Sequence, residues 1–291
     1  MAGFTITGFN HIAYPISTRQ HSLPLYRDIL GLAVIPSMVD GPAVIWTQMD
    51  SGTMVHPIEA PEPGKLGTFH LAFGVESVPE AMASLEASGI KINSHGERHD
   101  GQEFAFVFDP DGNRLEFASV NDRKVHGRVC DEWGITSWAK DGVEGHSGRH
   151  QTSDAPIRVL STEHAGVPIT DRKRSVTFYR DVVGLKIIPE MVESDSITWL
   201  ALPDGSMLHL VETEQGDAHT YHGGFVVEDL DVAIDAVKQL DAENTRVGDR
   251  LDGRRALHFD DADGNHVELV SNDPLKSGHR VADEWGYTTD V

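Results

Sequence analysis

Leu25-Tyr26-Arg27-Asp28-Ile29-Leu30-Gly31-Leu32 is answered 153 residues later by Phe178-Tyr179-Arg180-Asp181-Val182-Val183-Gly184-Leu185. A second pair confirms the register: Phe108-Asp109-Pro110-Asp111-Gly112-Asn113-Arg114-Leu115-Glu116 returns as Asp260-Asp261-Ala262-Asp263-Gly264-Asn265-His266-Val267-Glu268, now offset by 152. One residue was lost between the two points. Both halves close on Asp-Glu-Trp-Gly, at Asp131 to Gly134 and Asp283 to Gly286. Self-similarity of this length means that one structural unit was duplicated whole.

Working outward, residues 139–156 are rich in Gly, Ser, His, Asp and Gln without apolar periodicity, the composition of a connection. This predicts a first domain over 1–138 and a second over 157–291. Each half also repeats a smaller rhythm of strand, helix and several strands. His11 to Ile16 alternates as a strand, and Ser17 or Thr18 is placed to cap a helix carrying Tyr26, Ile29 and Leu30 and stopping at Gly31. Strands follow at Val44 to Met49 and Thr53 to Ile58. Phe69 to Val75 opens the second unit, and Ser77 with Glu80 has capping-box spacing before a helix that ends at Gly89. The Asp-Pro-Asp-Gly turn joins strands at Phe104 to Phe108 and Arg114 to Ser119. The expected class is α+β, with four βαβββ units in one chain.

Composition narrows the partners. The 46 acidic against 24 basic residues give a formal charge of -22, which opposes the phosphate contacts of nucleic-acid or anionic-membrane binding. A small molecule is the expected partner, and nothing fixes whether the chain forms a homo-oligomer. The lone Cys130 excludes an intramolecular disulfide and a cysteine-based zinc site, which fits a cytoplasmic protein. The first ten residues lack the basic and apolar regions of a signal peptide, and no apolar stretch reaches membrane-spanning length.

Sixteen histidines prove nothing by number, but four are placed alike. Residues two apart on a strand share a face. His11 thus shares its face with Ala13, His70 with Ala72, His164 with Gly166, and His222 with Gly224, leaving room beside each imidazole. Glu116 and Glu268 stand among apolar residues on closing strands, where a carboxylate is costly to bury unless paired or metal-bound. A single strand histidine is ordinarily a surface or hydrogen-bonded core residue. The argument for metal is joint: His11, His70 and Glu116 in one half, and His164, His222 and Glu268 in the other, with drift around them.

The paired βαβββ units, the Tyr-Arg-Asp-Ile-Leu-Gly-Leu helix end and the Asp-Pro-Asp-Gly-Asn-Arg-Leu-Glu close together resemble the vicinal oxygen chelate superfamily. That superfamily includes glyoxalase I, extradiol ring-cleaving dioxygenases and fosfomycin-resistance enzymes. The resemblance covers nearly all of the chain except the linker and implies two metal-binding β-cups. Four units in a chain of this length are the usual layout of the extradiol dioxygenases, whose two histidines and one glutamate hold Fe(II), or sometimes Mn(II). His56 falls where those enzymes place an acid/base histidine. His209 is its counterpart, at the same separation of 45 residues from the first ligand. Glyoxalase I has a fourth ligand there, usually glutamate.

What the resemblance implies is ring cleavage of a catechol-like aromatic diol by O₂. His56 or His209 would take a hydroxyl proton and return it as the O–O bond breaks. The other readings of these two residues are a fourth ligand and a plain strand-face histidine. His99 resembles a further histidine of that family, although its spacing to Glu116 looks shorter, and its presence makes the first cup the favoured one. The second half has Leu251 there. The family's tyrosine ten residues before the closing glutamate is replaced by Phe106 and His258. Two-domain extradiol enzymes normally lose one ligand set, whereas both persist here. Ligands shared across halves, such as His11 with His222 and Glu268, are therefore an open arrangement. So are a glyoxalase-like isomerase or epimerase and a small-molecule binding or resistance protein.

Overall fold

The computed structural model describes residues 3–35, 37–39, 43–60, 69–98, 101–120, 154–214 and 220–273. The two Asp-Glu-Trp-Gly segments, His99, and the connection except its last three residues lie outside them. The first half runs β1 (Ile6–Ile16), α1 (Arg19–Leu23), β2 (Ala33–Ile35), β3 (Trp46–Gln48), β4 (Met54–Glu59), β5 (His70–Val75), α2 (Val78–Ala87), β6 (Ser94–Glu97), β7 (Glu103–Phe108) and β8 (Arg114–Ser119). The second repeats it as β9 (Val159–Ile169), α3 (Arg172–Thr177), β10 (Lys186–Ile188), β11 (Ile197–Ala201), β12 (Met207–Glu212), β13 (His222–Val227), α4 (Leu230–Gln239), β14 (Arg246–Asp249), β15 (Arg255–Asp260) and β16 (His266–Ser271).

Each half is an eight-stranded mixed sheet, ordered β2-β3-β4-β1-β5-β8-β7-β6 and β10-β11-β12-β9-β13-β16-β15-β14. The opening strands β1 and β5 pair antiparallel at the centre, and each pairs parallel with the closing strand of its own unit, β4 and β8. The expected α+β class and four βαβββ units are present. Ser77 Oγ accepts the Glu80 amide at 3.3 Å, as its capping spacing predicts.

The first helix of each half departs from the simple periodic reading. α1 and α3 pass into wider π-helical turns, Pro24–Ile29 and Phe178–Val182, closed by Leu30 N–H on Leu25 O at 2.8 Å and Val183 N–H on Phe178 O at 3.0 Å. Pro24 is not the cause, because the second half has Thr177 in its place. The wide turns carry Tyr26 and Tyr179, both fully buried, across to the other half, where their hydroxyls donate to Asp261 and Asp109 at 2.8 Å.

Those aspartates belong to the turns read above as simple β7–β8 and β15–β16 connections. Gly112 and Gly264 do take the left-handed backbone, at φ 87° and 80°, that the turns require. The turn side chains, however, clasp the opposite half. Asn113 Nδ2 donates to Pro168 O and Asn265 Nδ2 to Pro15 O, each at 2.8 Å. Asp111 accepts from Thr170 N–H at 2.8 Å and Asp263 from Ser17 N–H at 3.0 Å. The halves therefore join reciprocally, over one apolar core to which both contribute Ile12, Leu71, Val167 and Phe225.

Candidate metal centres

Register decides which side chains meet. In the first sheet His11 stands opposite Ala72, Ala13 opposite His70, and Ala72 opposite Glu116, so the three donors rise from adjacent strands on one face. His56, on β4, stands opposite Ala13. The second sheet repeats this with His164 opposite Gly224, Gly166 opposite His222, Gly224 opposite Glu268, and His209 opposite Gly166. Each donor set is drawn from a single half, and the shared arrangement of His11 with His222 and Glu268 is not the one adopted. The small residues make the room expected of them, but for the imidazole on the neighbouring strand. A methyl group at Gly224 would sit 2.5 Å from Nε2 of His164, and one at Gly166 would sit 2.7 Å from Nε2 of His222.

In the first cup Nε2 of His11 lies 3.1 Å from Nε2 of His70 and 3.2 Å from Oε2 of Glu116, and the His70–Glu116 distance is 3.4 Å. Nitrogen and oxygen ligands at about 2.0–2.2 Å from a cation stand about 3.0–3.5 Å from one another. Oε2 of Glu116 is buried without a hydrogen-bond partner. Asn10 Oδ1 accepts from Nδ1 of His11 at 2.9 Å, which leaves the lone pair on the inward Nε2. Burial lowers the His11 pKa to about 4, so the ring is neutral, as a ligand must be. The donor set fits a divalent cation. His56 stacks on His11 at 3.9 Å beneath Trp46, and its Nε2 is buried and unpartnered. Burial and the adjacent His11 hold it well below its usual pKa.

The second cup carries more charge, and the donor group that closes there is His164, His209 and His222 rather than the expected His164, His222 and Glu268. Nε2 of His164 lies 3.1 Å from Oε2 of Glu268 and is otherwise unpartnered, and Nδ1 of His222 donates to Thr220 O at 2.8 Å, leaving its Nε2 lone pair free. Here Glu163 replaces Asn10 and accepts from Nδ1 of His164. Burial opposes charge on His164, but Glu268 and Glu163 outweigh it and carry the pKa up to about 9. A proton thus stands where a cation would bind. His209 lies parallel to His164, with ring centroids 4.1 Å apart, and its Nε2 is unpartnered. The ring nitrogens of His164, His209 and His222 lie within 4.8 Å of one another.

A cavity of about 220 Å³ opens on the second cup, lined by His209, His222, His258, His266, Arg250 and Glu268 among others. Nδ1 of His266 donates to Asp260 at 2.9 Å, so its Nε2 accepts from Nδ1 of His258 at 3.3 Å. In the first cup these three positions are Phe106, Phe108 and Arg114, and the guanidinium of Arg114 covers Phe106 at 3.8 Å.

Sequence reasoning passed over the residues next to the donors. The segment chosen for His99 repeats as Glu97-Arg98 and Asp249-Arg250, so the element common to both copies is arginine, not histidine. Arg98 donates to Oε1 of Glu116 at 2.5 Å, and Arg250 lies 3.4 Å from Oε1 of Glu268. Each guanidinium turns one carboxylate oxygen away and leaves Oε2 for the cup. Asn10 and Glu163, adjacent to the first histidines, were also legible as polar residues at matching positions.

A family model described as the Glyoxalase/Bleomycin resistance protein/Dioxygenase superfamily matches residues 8–117 and again 161–269. A catechol-2,3-dioxygenase of Bacillus subtilis (strain 168) is 27% identical over 194 residues, covering 61% of this chain and 66% of that protein. Among solved structures, the 2,3-dioxygenase LapB from Pseudomonas sp. KL28 superposes with a TM-score of 0.68 at 17% identity, over 94% of this chain and 96% of that one. The Mn(II)-bound glyoxalase from Novosphingobium aromaticivorans gives 0.63 at 16% identity, over 94% and 84%. With the family model matching each half in turn, the chain belongs to the glyoxalase/bleomycin resistance protein/dioxygenase superfamily.

Proposed function

We propose that this protein is a metal-dependent dioxygenase of the extradiol type, opening the ring of a catechol-like diol with O₂ in the breakdown of aromatic compounds. His11, His70 and Glu116, and His164, His222 and Glu268, are the ligands we assign to Fe(II), with Mn(II) as the alternative ion. Such an ion, held by a facial triad with open positions, would supply the meeting point of diol and O₂. The chain's lone cysteine suits work in the reducing cytoplasm, where iron stays ferrous.

The observation that carries this reading is His209, buried against the ligand ring of His164 with a bare Nε2, in the wall of a cavity that reaches the donor set. Nε2 receives the proton of one substrate hydroxyl and later returns it to the opened product. His258, its Nδ1–H committed to His266, offers Nε2 as an acceptor to a hydroxyl at the cavity wall. The cavity moves our preference to the second cup. His99, which favoured the first, lies outside the described residues. The similarity to a catechol-2,3-dioxygenase adds support.

One observation favours a second reading. The nitrogen of His209 lies within 4.8 Å of those of His164 and His222, near enough for a fourth ligand and a glyoxalase-like isomerase or epimerase. The test is His209→Asn, His56→Asn and the double variant, scored for metal content and for oxygen uptake with a catechol panel. Acid/base action predicts intact metal with uptake slowed about a hundredfold or more. Metal lost in step with activity makes His209 a ligand and sinks the dioxygenase assignment. Wild-type protein that takes up neither ion would leave a binding or resistance protein.

A further inference from the structure

The clasp between the halves is reciprocal at its turns but not behind the second ligand strand. The hydroxyl of Tyr14, on β1 of the first half, accepts the N–H of Gly223 at 2.5 Å and lies 3.4 Å from the carbonyl of His266, to which it donates. It thereby bridges the starts of β13 and β16, the strands that carry His222 and Glu268. The hydroxyl leaves no room for a side chain at Gly223: a methyl group there would sit 2.7 Å from it, with Phe225 at 2.8 Å and Ile12 at 2.9 Å. One residue before His222, the Tyr221 hydroxyl donates to Oδ1 of Asn113, again from the first half. Tyr14 is fully buried and Tyr221 is 7% exposed, so water does not substitute for either bond.

The reverse direction lacks this pair. The counterpart of Tyr14 is Val167, that of Gly223 is Leu71, and that of Tyr221 is Phe69. Val167 and Phe69 are buried side chains without a hydroxyl to offer β5 or β8. We propose that the first half is a positioning element for the second cup: Tyr14 and the Asn113–Tyr221 bond hold β13 and β16 in register, and with them His222 relative to Glu268. Among the described residues, the counterparts Val167 and Phe69 give the first cup no equivalent support. Loss of the Tyr14 hydroxyl leaves the Gly223 amide buried without an acceptor, so the strand start must shift or admit water, and the His222 ring moves with it. This rests on the metal reading of the second cup, but not on the reaction assigned to it.

The experiment titrates Mn(II) into full-length Glu116→Ala, which keeps only the second ligand set, and Glu268→Ala, which keeps only the first. Each is prepared with and without Tyr14→Phe, and free Mn(II) is read by its electron paramagnetic resonance signal. Expected is a Kd about tenfold weaker in the second cup, the lower range for disturbed outer-shell support, with the first cup within twofold. Tyr221→Phe should shift the same cup in the same direction, and it replaces Tyr14→Phe if that variant melts before the assay temperature. Equal weakening of both cups would make Tyr14 a general stabilising residue and overturn the proposal, as would no change in either. If the wild type binds Mn(II) in neither cup, the metal reading fails first. Amide exchange on the metal-free chain then decides the positioning claim. Tyr14→Phe must accelerate exchange at Gly223 and not at Leu71, and unchanged protection at Gly223 overturns it.

Discussion

Replacing Gly224 by alanine adds one methyl group to the floor of the second cup, and the consequence follows from a few distances. The new carbon would lie 2.5 Å from Nε2 of His164 and closer still to other ring atoms, against an ordinary contact of 3.4 Å. The imidazole must retreat by about 1 Å, whereas a metal–nitrogen bond tolerates about 0.2 Å. Neither Gly224 nor Gly166 has a positive φ, so an alanine backbone fits and the effect is one of space alone. Overpacking of this kind costs roughly 1–3 kcal/mol of stability, which lowers Tm by several degrees without unfolding the chain. Metal affinity in the second cup should fall by about tenfold to a hundredfold, because the ring must first move to the place His11 occupies beside Ala72. The first cup has Ala72 in this place and should keep its metal. Elemental analysis and Mn(II) titration of Gly224→Ala, beside Gly166→Ala as the same perturbation of His222, provide the measurement. A second cup that binds normally in both variants would show that its rings settle beside a methyl group as His11 does beside Ala72, and would refute displacement of the donors by space alone.

Other outcomes follow from the same geometry. Glu116→Ala and Glu268→Ala should each remove about half of the bound metal, counted by elemental analysis, since each deletes the only carboxylate of one triad; loss of all metal from either would mean coupled sites. Asp109→Ala removes the acceptor of the buried Tyr179 hydroxyl and of the Asn113 amide, and should cost about 2–4 kcal/mol in urea denaturation. Burial raises the pKa of Asp109 above its ordinary 3.8 despite the donors around it. The folded state then holds the proton more tightly than the unfolded one. Its contribution to stability is greatest below 3.8 and diminishes as pH rises through the folded pKa. The stability of the wild type relative to Asp109→Asn should accordingly fall as pH rises from 3.8 through the raised pKa of the folded state. A flat difference would refute the raised pKa.

The features legible in the sequence are those that duplication writes twice and that strand periodicity can orient. His11, His70 and Glu116 were identifiable because each sits on a strand beside a small residue or among apolar ones, and because the second half repeats all three. Periodicity reports which face a side chain occupies, but not which strand lies beside it. The small residues were therefore assigned to their own strand's histidine, when the register gives Gly224 to His164 and Gly166 to His222. The same limit hid the clasp. Asp109-Pro110-Asp111-Gly112-Asn113 contains every signal of a local turn, and nothing in it discloses that Asn113 binds Pro168 in the other half. The wide turn at Tyr26 escaped too, because local periodicity does not report the contact it makes with Asp261, 235 residues away. Arg98 and Arg250 were legible, since of the pair Arg98-His99 only the arginine recurs, with Leu251 beside Arg250.

Keeping the same three candidate donors in both halves does not make the cups equivalent. Around Glu116 the fixed charges include the guanidinium of Arg98 and, farther out, that of Arg114, with a neutral His11 held by the uncharged Asn10. A divalent cation entering there meets a carboxylate already balanced. Around His164 stand Glu163, Glu268 and Asp252 against Arg250 and Arg254, and the ring itself holds a proton between two carboxylates. A cation binding there would displace that proton, so the change in local charge would be smaller by one and affinity would rise as pH does. The outer wall diverges the same way, from Phe106, Phe108 and Arg114 to the acceptor chain of His258, Asp260 and His266. An aromatic wall closed by Arg114 has no bare imidazole nitrogen to offer a substrate hydroxyl, whereas His258 does. Two cups with one candidate donor set thus diverged in what surrounds the donors, which is where metal affinity and substrate choice would be decided.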